Sequence, residues 1–168
     1  MPASMTFVLG GARSGKSAYA ERIITALPSP WVYIATAHAG DDEMQARIAL
    51  HRARRDERWT TVEAPIDIAG AIDAAGKQPV LIDCLTLWLT NLLLGEHDID
   101  SRVQSLEAAL RARDGITVLV ANEVGLGIVP DNALARAFRD WAGRVNQHFA
   151  ARADSVVFMV AGLPMRVK

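Results

Sequence analysis

One short stretch near the start of the chain carries the residue types needed to bind a polyphosphate. Residues 10–17 read Gly-Gly-Ala-Arg-Ser-Gly-Lys-Ser and fit the pattern G-x-x-x-x-G-K-[ST] at every specified position. The glycines let backbone N–H groups turn towards the phosphates, and the start of a following helix adds partial positive charge. Lys16 is then placed to reach the β- and γ-phosphates, and the Ser17 hydroxyl to hold Mg²⁺. The stretch therefore predicts a nucleotide site.

A second candidate metal ligand is Asp83, which closes the apolar run Val80, Leu81 and Ile82. In a parallel sheet the carboxyl ends of the strands are where ligands gather, so this run resembles the acid-ended strand of nucleotide-binding proteins. Asp83 could hold Mg²⁺ directly or through water. The alternative role is a helix cap. The neighbouring Cys84 is most simply a small buried apolar side chain.

A basic segment, residues 41–55, is predicted to be part of a helix and surrounds His51 with arginines: Arg47, Arg52, Arg54 and Arg55. Arginine suits phosphate geometry, so the segment is a candidate anion site. A histidine beside bound phosphates can act as a nucleophile or carry a proton. The alternative is a solvated basic helix face with no ligand.

A glycine-containing stretch, residues 121–130, follows the fourth predicted strand. It is expected to reach the same edge of the sheet as the loop at residues 10–17. Gly125 and Gly127 permit unusual backbone angles, and Glu123 is a candidate acid, base or outer metal ligand. A plain turn with a solvated glutamate is the alternative.

The elements that must position these residues alternate between strand and helix. Strands are predicted from short apolar runs, and helices from apolar residues spaced three or four apart. An N-cap is expected at Asp41 or Asp42 for the second helix and at Asp131 for the last one. The predicted strands are residues 6–9, 31–36, 80–83, 116–121 and 155–161, and the predicted helices are residues 17–27, 42–57, 66–75, 85–94, 99–113 and one after 131 whose apolar row is Leu134, Phe138, Trp141, Val145 and Phe149.

Composition limits the class of protein. The chain has 168 residues, is 51% hydrophobic and carries a formal net charge of −1, which indicates one compact domain, residues 1–168, without a nucleic-acid or membrane surface. The single cysteine excludes an intrachain disulfide and favours a reducing, cytoplasmic setting. No signal-peptide pattern is present, and the most apolar run, residues 84–94, is too short to cross a bilayer as a helix. Continuous apolar strands separated by helices predict a mainly parallel sheet with helices on both faces.

Taken together, these stretches resemble one enzyme family over nearly the whole chain. The residues that carry the resemblance are GGARSGKS, YIATA with DDEMQARI and HRARR, WTTVE, LIDCLTLWLTNLL, NEVGLGIVP and LARAFRDWAGRVNQ. In this order they are similar to the bifunctional adenosylcobinamide kinase/adenosylcobinamide-phosphate guanylyltransferase family of cobalamin biosynthesis. The phosphate loop alone is unspecific, whereas NEVGLGIVP together with FRDWAGRVNQ is highly specific.

The resemblance implies a RecA-like P-loop fold and a homotrimer. It implies two reactions: phosphorylation of the aminopropanol hydroxyl of adenosylcobinamide by ATP or GTP, and transfer of GMP from GTP to adenosylcobinamide phosphate, with release of pyrophosphate. The second reaction in the family passes through a GMP–histidine intermediate.

The resemblance also assigns nucleotide-binding positions. Lys16 and His51 are the candidate catalytic residues, and Ser17 and Asp83 are the candidate metal ligands. The matching nucleotide-binding positions are Gly10, Gly11, Ala12, Arg13, Ser14, Gly15, Lys16, Ser17, Ala35, Thr36, Ala37, His51, Arg52, Ala53, Arg54, Glu63 and Asp83.

One position departs from the family pattern. The family usually has two adjacent histidines in the basic helix, and the first carries GMP; here that position is Leu50, and His51 matches the second. On an ideal helix these two side chains are about 100° apart. Three readings stay open: both activities with GMP on His51, kinase activity alone, or a nucleotide-dependent regulatory or binding module.

Overall fold

The computed structural model describes residues 4–37 and 55–168. In these residues the chain forms seven strands and five helices. The strands are β1 (Ser4–Gly10), β2 (Trp31–Ala35), β3 (Trp59–Glu63), β4 (Val80–Asp83), β5 (Ile116–Asn122), β6 (Ser155–Val160) and β7 (Leu163–Arg166), and the helices are α1 (Lys16–Thr25), α2 (Ile68–Ala75), α3 (Leu85–Leu94), α4 (Ile99–Ala112) and α5 (Ala133–Arg152).

The strands form one sheet in the order β3-β2-β4-β5-β1-β6-β7. Every neighbouring pair is parallel except β6 and β7, which are antiparallel. The central strands β2, β4 and β5 are mostly buried apolar runs, as expected when both faces of a parallel sheet are covered. The predicted mainly parallel sheet is therefore confirmed.

Helices cover both faces of the sheet. On one face α1 packs through Ala20 and Ile24 against Val8, Val118 and Val120. On the other face α2, α3, α4 and α5 enclose the larger apolar cluster, whose fully buried members include Trp88, Leu106 and Phe149. Burying a side chain of this size contributes roughly 1.5–3 kcal/mol each to folding. Both faces thus fix the strand ends that carry the site.

Helix starts are set by short polar side chains. Asp67, Asp98 and Asn132 each accept a hydrogen bond from a backbone N–H in the first turn of α2, α4 and α5. The prediction that Asp131 caps the last helix was wrong by one residue, because the Asn132 side chain reaches Ala135 N at 2.7 Å. Leu134 was also wrongly placed in the apolar row, since it lies in the first turn with 57% of its surface exposed.

Two strands, β3 and β7, were not predicted from the sequence patterns. β3 has an intermediate and exposed burial pattern and one neighbour, β2, so it lacks the continuous apolar run of a central strand. β7 is exposed along its length and contains Pro164, which is tolerated at a sheet edge. Both lie at the ends of the sheet.

The helix predicted across residues 42–57 falls mostly outside the described residues. Its predicted end is wrong, because residues 55–58 are not helical. There Asp56 accepts hydrogen bonds from the backbone and side chain of Arg58, and the Arg58 carbonyl accepts from Trp31 N at 3.0 Å. This turn delivers the chain into β3. No helix in the described part of the chain is long and apolar enough to cross a membrane.

Candidate active site

The phosphate-binding loop connects β1 to α1, as the motif requires. Its conformation depends on glycine at two positions. Gly15, the N-cap of α1, has φ +91°, and a Cβ on Gly10 would lie 2.7 Å from the Met159 carbonyl oxygen. The loop therefore has the backbone freedom and close packing that a phosphate cradle needs.

Lys16 is 93% buried within this loop, at 7% exposure. Its ammonium donates to the Gly11 carbonyl at 2.6 Å and lies 3.5 Å from the Ser14 hydroxyl. Burial lowers the pKa of Lys16, while the nearby Asp83 and Cys84 act in the opposite direction. The Lys16 ammonium can therefore replace its contacts with the loop by hydrogen bonds to phosphate oxygens.

Strand register brings three predicted positions side by side. Ala35 at the end of β2 pairs with Glu63 of β3 and with Asp83 of β4. On the other side of the sheet centre, Gly10 pairs with Asn122, and Glu123 N donates to the Gly10 carbonyl at 3.0 Å. We call this line of strand ends the carboxyl edge.

The carboxyl edge therefore joins the phosphate loop, Ala35, Glu63, Asp83 and Glu123. Asp83 does not lie on a strand next to β1, because β5 runs between β1 and β4. The side chain of Glu123 turns back and accepts from Gly125 N at 2.6 Å, so in this state it orders its own loop.

Asp83 has a direct side-chain partner that the sequence patterns missed. The buried Tyr33 donates its hydroxyl proton to Asp83 Oδ2 at 3.1 Å. The ring of Tyr33 in turn lies under the Arg55 guanidinium, whose central carbon is 3.6 Å from the ring centroid.

Thr36 is fully buried, and its side chain is committed to the protein. Its hydroxyl donates to the Cys84 carbonyl at 2.7 Å and accepts from Cys84 N at 2.8 Å. Its own backbone N–H donates to the Asp83 carbonyl at 3.3 Å. The predicted site position 36 therefore fixes the backbone that carries Asp83.

Helix α3 supplies further supports for the carboxyl edge. The Asn91 amide donates to the carbonyls of Thr36 at 2.8 Å and Pro65 at 2.9 Å, joining the ends of β2 and β3. The buried Thr86 hydroxyl accepts from Asn122 N at 2.6 Å, which joins α3 to the end of β5. A polar residue on an otherwise apolar buried helix is the signal that could have pointed to these two side chains.

The prediction that Cys84 is a small buried side chain is confirmed, at 5% exposure. Burial, together with the negative charge of Asp83, raises the pKa of its thiol to about 12. The thiol therefore stays protonated at neutral pH and is a poor nucleophile.

The predicted nucleotide contacts His51, Arg52, Ala53 and Arg54 lie outside the described residues, as does Leu50. Arg55, the last arginine of the basic segment, is described. Its Nε and Nη1 atoms are buried, and neither has a hydrogen-bond partner among the described residues.

The donors at the carboxyl edge suit Mg²⁺. Ser17 follows Lys16 in the first turn of α1, and Asp83 has one carboxylate oxygen engaged by Tyr33 and a second one for a metal. Both ligands are hard oxygens, and Mg²⁺ commonly takes few protein ligands and completes its shell with water and phosphates. The chemistry of this donor set therefore fits the ion.

A cleft of about 180 Å³ lies at the opposite end of the sheet, where β1 and β5 begin. Its lining includes Met5, Leu110 and Phe149. Both strands are seven residues long, so the cleft is about 20 Å from the carboxyl edge at the usual rise per residue. It is not part of the candidate active site.

Comparison with known proteins identifies the family of this chain. The family model for cobinamide kinase / cobinamide phosphate guanyltransferase matches residues 6–167. The chain belongs to this family. It is 48% identical to the bifunctional adenosylcobalamin biosynthesis protein CobP of Pseudomonas aeruginosa, over 96% of the chain and 95% of that protein.

It is also 45% identical to the bifunctional adenosylcobalamin biosynthesis protein CobU of Salmonella typhimurium, over 98% of the chain and 99% of that protein. The family resemblance inferred from the sequence is thereby confirmed, and the chain is an enzyme of this family.

Solved structures confirm the fold. The flagellar accessory protein FlaH of Methanocaldococcus jannaschii matches with a TM-score of 0.52 at 13% identity, covering 100% of this chain and 80% of its own. An ATPase of a type III secretion system matches with a TM-score of 0.55 at 14% identity. The match covers 97% of this chain and 56% of the ATPase chain. At this identity the likeness concerns the P-loop α/β fold alone.

Proposed function

We propose that this enzyme phosphorylates adenosylcobinamide with ATP or GTP and then transfers GMP from GTP to adenosylcobinamide phosphate. The observation that carries the proposal is the phosphate loop assembled with Asp83 on one carboxyl edge, in a chain that matches the two-activity family over residues 6–167.

The kinase step uses the loop and the residues beside it. The aminopropanol hydroxyl oxygen of the corrinoid attacks the γ-phosphorus, its proton passes to solvent water, and the bond from that phosphorus to the nucleoside diphosphate breaks. Lys16 stabilises the charge that builds on the phosphoryl oxygens, and the loop N–H groups hold the β-phosphate. Bound at Ser17 and Asp83, Mg²⁺ would neutralise charge on the β- and γ-phosphates.

The guanylyl step depends on residues outside the described part of the chain. In our proposal a His51 nitrogen attacks the α-phosphorus of GTP and pyrophosphate leaves. A phosphate oxygen of adenosylcobinamide phosphate then attacks the same phosphorus and frees the histidine. The nucleotide contacts proposed for this site are residues 10–17, Ala35 to Ala37, His51 to Arg54, Glu63 and Asp83.

Kinase activity alone is the second candidate, because Leu50 occupies the position where the family usually has its GMP-carrying histidine. A nucleophile must sit within near-attack distance, and a neighbouring helix position points elsewhere.

One incubation separates these candidates. The protein, adenosylcobinamide, GTP and Mg²⁺ are combined, and the corrinoid products are identified by mass. We expect adenosylcobinamide phosphate followed by adenosylcobinamide-GDP. Accumulation of the phosphate alone would support the kinase-only candidate, and GTP binding without any corrinoid product would support a regulatory module.

The nucleophile is tested with GTP labelled in its α-phosphate. We expect acid-labile label on His51 that is lost in His51→Ala. Intact kinase activity without such label rejects His51, and label restored by Leu50→His would show that position 50 still faces the nucleotide.

We also propose a cytoplasmic homotrimer. The proposal of three subunits comes from the family resemblance, and exposed apolar side chains give it support: Leu126, Ile128 and Val129 in the loop after β5 are 82%, 97% and 60% exposed. Apolar area of this kind is typical of subunit interfaces.

A further inference from the structure

The orientation of the Asp83 carboxylate is fixed by a residue that belongs to neither the phosphate loop nor the metal-binding set. Tyr33 lies on β2, in register with Leu81, two residues before Asp83 on β4. Side chains two apart on a strand share a face, so Tyr33 and Asp83 are diagonal neighbours on the face covered by α1. The tyrosine hydroxyl reaches Asp83 Oδ2 at 3.1 Å.

The tyrosine ring is itself held in one place. Tyr33 is 5% exposed. The Arg55 guanidinium stacks on the ring at 3.6 Å, and the Trp59 ring meets it nearly edge-on, with centroids 6.2 Å apart and planes at 78°. A ring packed on two sides has little rotational freedom, so its hydroxyl is directed at the carboxylate.

The hydroxyl is the donor in this pair, because an ionised carboxylate only accepts hydrogen bonds and the tyrosine O–H can donate one. This bond occupies Asp83 Oδ2, and among the described residues Oδ1 has no hydrogen-bond partner, so Oδ1 can coordinate a cation. A free aspartate would sample a broad range of rotations about its terminal torsion.

We propose that Tyr33 is a positioning residue that presents Asp83 to Mg²⁺, with Arg55 and Trp59 holding its ring in place. The inference rests on the proposed function, because it assumes the metal site at Ser17 and Asp83. Mg²⁺ demands near-ideal octahedral geometry, so a carboxylate already oriented binds it more tightly. Partners of this kind typically contribute about 10–100-fold to metal affinity.

The test separates orientation from packing by removing one oxygen atom. Tyr33→Phe keeps the ring between Arg55 and Trp59 and deletes the bond to Asp83. The matched control is Tyr19→Phe, which makes the same change in α1, where the Tyr19 ring packs under Arg22. Binding of a fluorescent, non-hydrolysable GTP analogue is measured while Mg²⁺ is titrated, and again with a chelator in place of the metal.

We expect the Mg²⁺ concentration for half-maximal response to rise about 10-fold or more in Tyr33→Phe and to be unchanged in Tyr19→Phe. Affinity in the chelator should equal that of the wild type, which also shows that the variant is folded. In Asp83→Asn, adding Tyr33→Phe should cause no further change, because the hydroxyl acts through that carboxylate.

The inference is overturned if the wild type responds to Mg²⁺ and Tyr33→Phe responds with the same midpoint. It is also overturned if the effect of Tyr33→Phe on the response to Mg²⁺ is the same in the Asp83→Asn background as in the wild type. If the wild type shows no response to Mg²⁺, the proposed metal site fails and this inference fails with it. The wild-type titration therefore distinguishes the two failures.

Discussion

At the scale of single residues, Lys16 and Gly15 in the active-site loop adopt arrangements that lower the stability of the folded protein. Lys16 is buried, none of the described carboxylates is in direct contact with its ammonium, and burial lowers its pKa. Gly15 adopts a backbone angle that side chains rarely tolerate. Such features persist where the surrounding structure enforces them and a ligand uses them.

Gly15→Ala tests this directly. A Cβ at φ +91° is strained and would meet the Gly162 Cα at 3.3 Å, so we expect a loss of about 1–2 kcal/mol in the free energy of unfolding. Nucleotide affinity should also fall, because the loop N–H groups move. Urea unfolding and nucleotide titration measure the two effects.

Gly143→Ala is the matched control. Gly143 lies inside α5, and a Cβ there meets nothing within 4 Å, so the substitution should stabilise the protein by about 0.5–1 kcal/mol. Equal effects of the two substitutions would contradict the account of Gly15.

The sequence was informative about single residues where a motif fixes a role. The loop at residues 10–17 and Asp83 were predicted from spacing, and the structure places both on one edge of the sheet. Tyr33 and Thr36 act through contacts with residues some fifty positions away, at Asp83 and Cys84. Contacts of that kind depend on strand register, which a single sequence does not reveal.

At the scale of elements, α3 holds the strand ends of the carboxyl edge together through hydrogen bonds. Its apolar side packs in the larger core, and its polar residues bind the ends of β2, β3 and β5. Its prediction as a buried helix is confirmed, with the same bounds, Leu85–Leu94. β3 and β7 were missed because they lie at the sheet ends, where the apolar pattern fades.

Asn91→Ala should weaken that support. It leaves two carbonyls without their donor, so we expect a loss of about 1–3 kcal/mol in stability and a larger KM for nucleotide with a smaller change in kcat. Thr90→Ala is the control, since among the described residues that hydroxyl donates to the Thr86 carbonyl within the same helix. An unchanged KM in Asn91→Ala would show that the strand ends keep their positions without it.

A charged cluster joins α4 to α5 away from the site. Glu107 lies 2.6 Å from Arg152 and 2.9 Å from His148. The hydrogen bond from Arg152, followed by the charges of Arg152 and His148, holds the pKa of Glu107 below its ordinary value of 4.5. A folded pKa below the unfolded one adds stability above 4.5, and that contribution is lost as pH falls through the folded value.

We therefore expect Glu107→Gln to melt at a lower temperature than the wild type at neutral pH. The difference should disappear in acid, once the carboxyl of the wild type is protonated. Melting curves across this pH range measure it, and a difference that persists unchanged in acid would contradict the assignment.

At the scale of the whole molecule, exposed apolar side chains and the family resemblance support assembly. Of the four tryptophans in the chain, Trp31 and Trp88 are core residues at 1% exposure each and are not available to an interface. The loop after β5 provides the exposed apolar surface instead, with Ile128 at 97% exposure.

We expect light scattering at micromolar concentration to give the mass of a trimer. Ile128→Asp should lower that mass, because a charge in an apolar interface is costly. Leu94→Asp, at a side chain of 68% exposure on a different element, should leave it unchanged. A wild-type monomer would refute the proposed trimer.

We propose that residues 10–17 form the loop that transfers a phosphoryl group to adenosylcobinamide. This role is tested by following label from the γ-phosphate of ATP to the corrinoid, with wild-type protein and with Lys16→Ala. We predict labelled adenosylcobinamide phosphate from the wild type and at least about 10²-fold slower labelling by the variant. The melting temperature should not fall, because the lysine is desolvated and outside the apolar core. An unlabelled corrinoid from the wild type, or equal rates for the two proteins, would contradict the account.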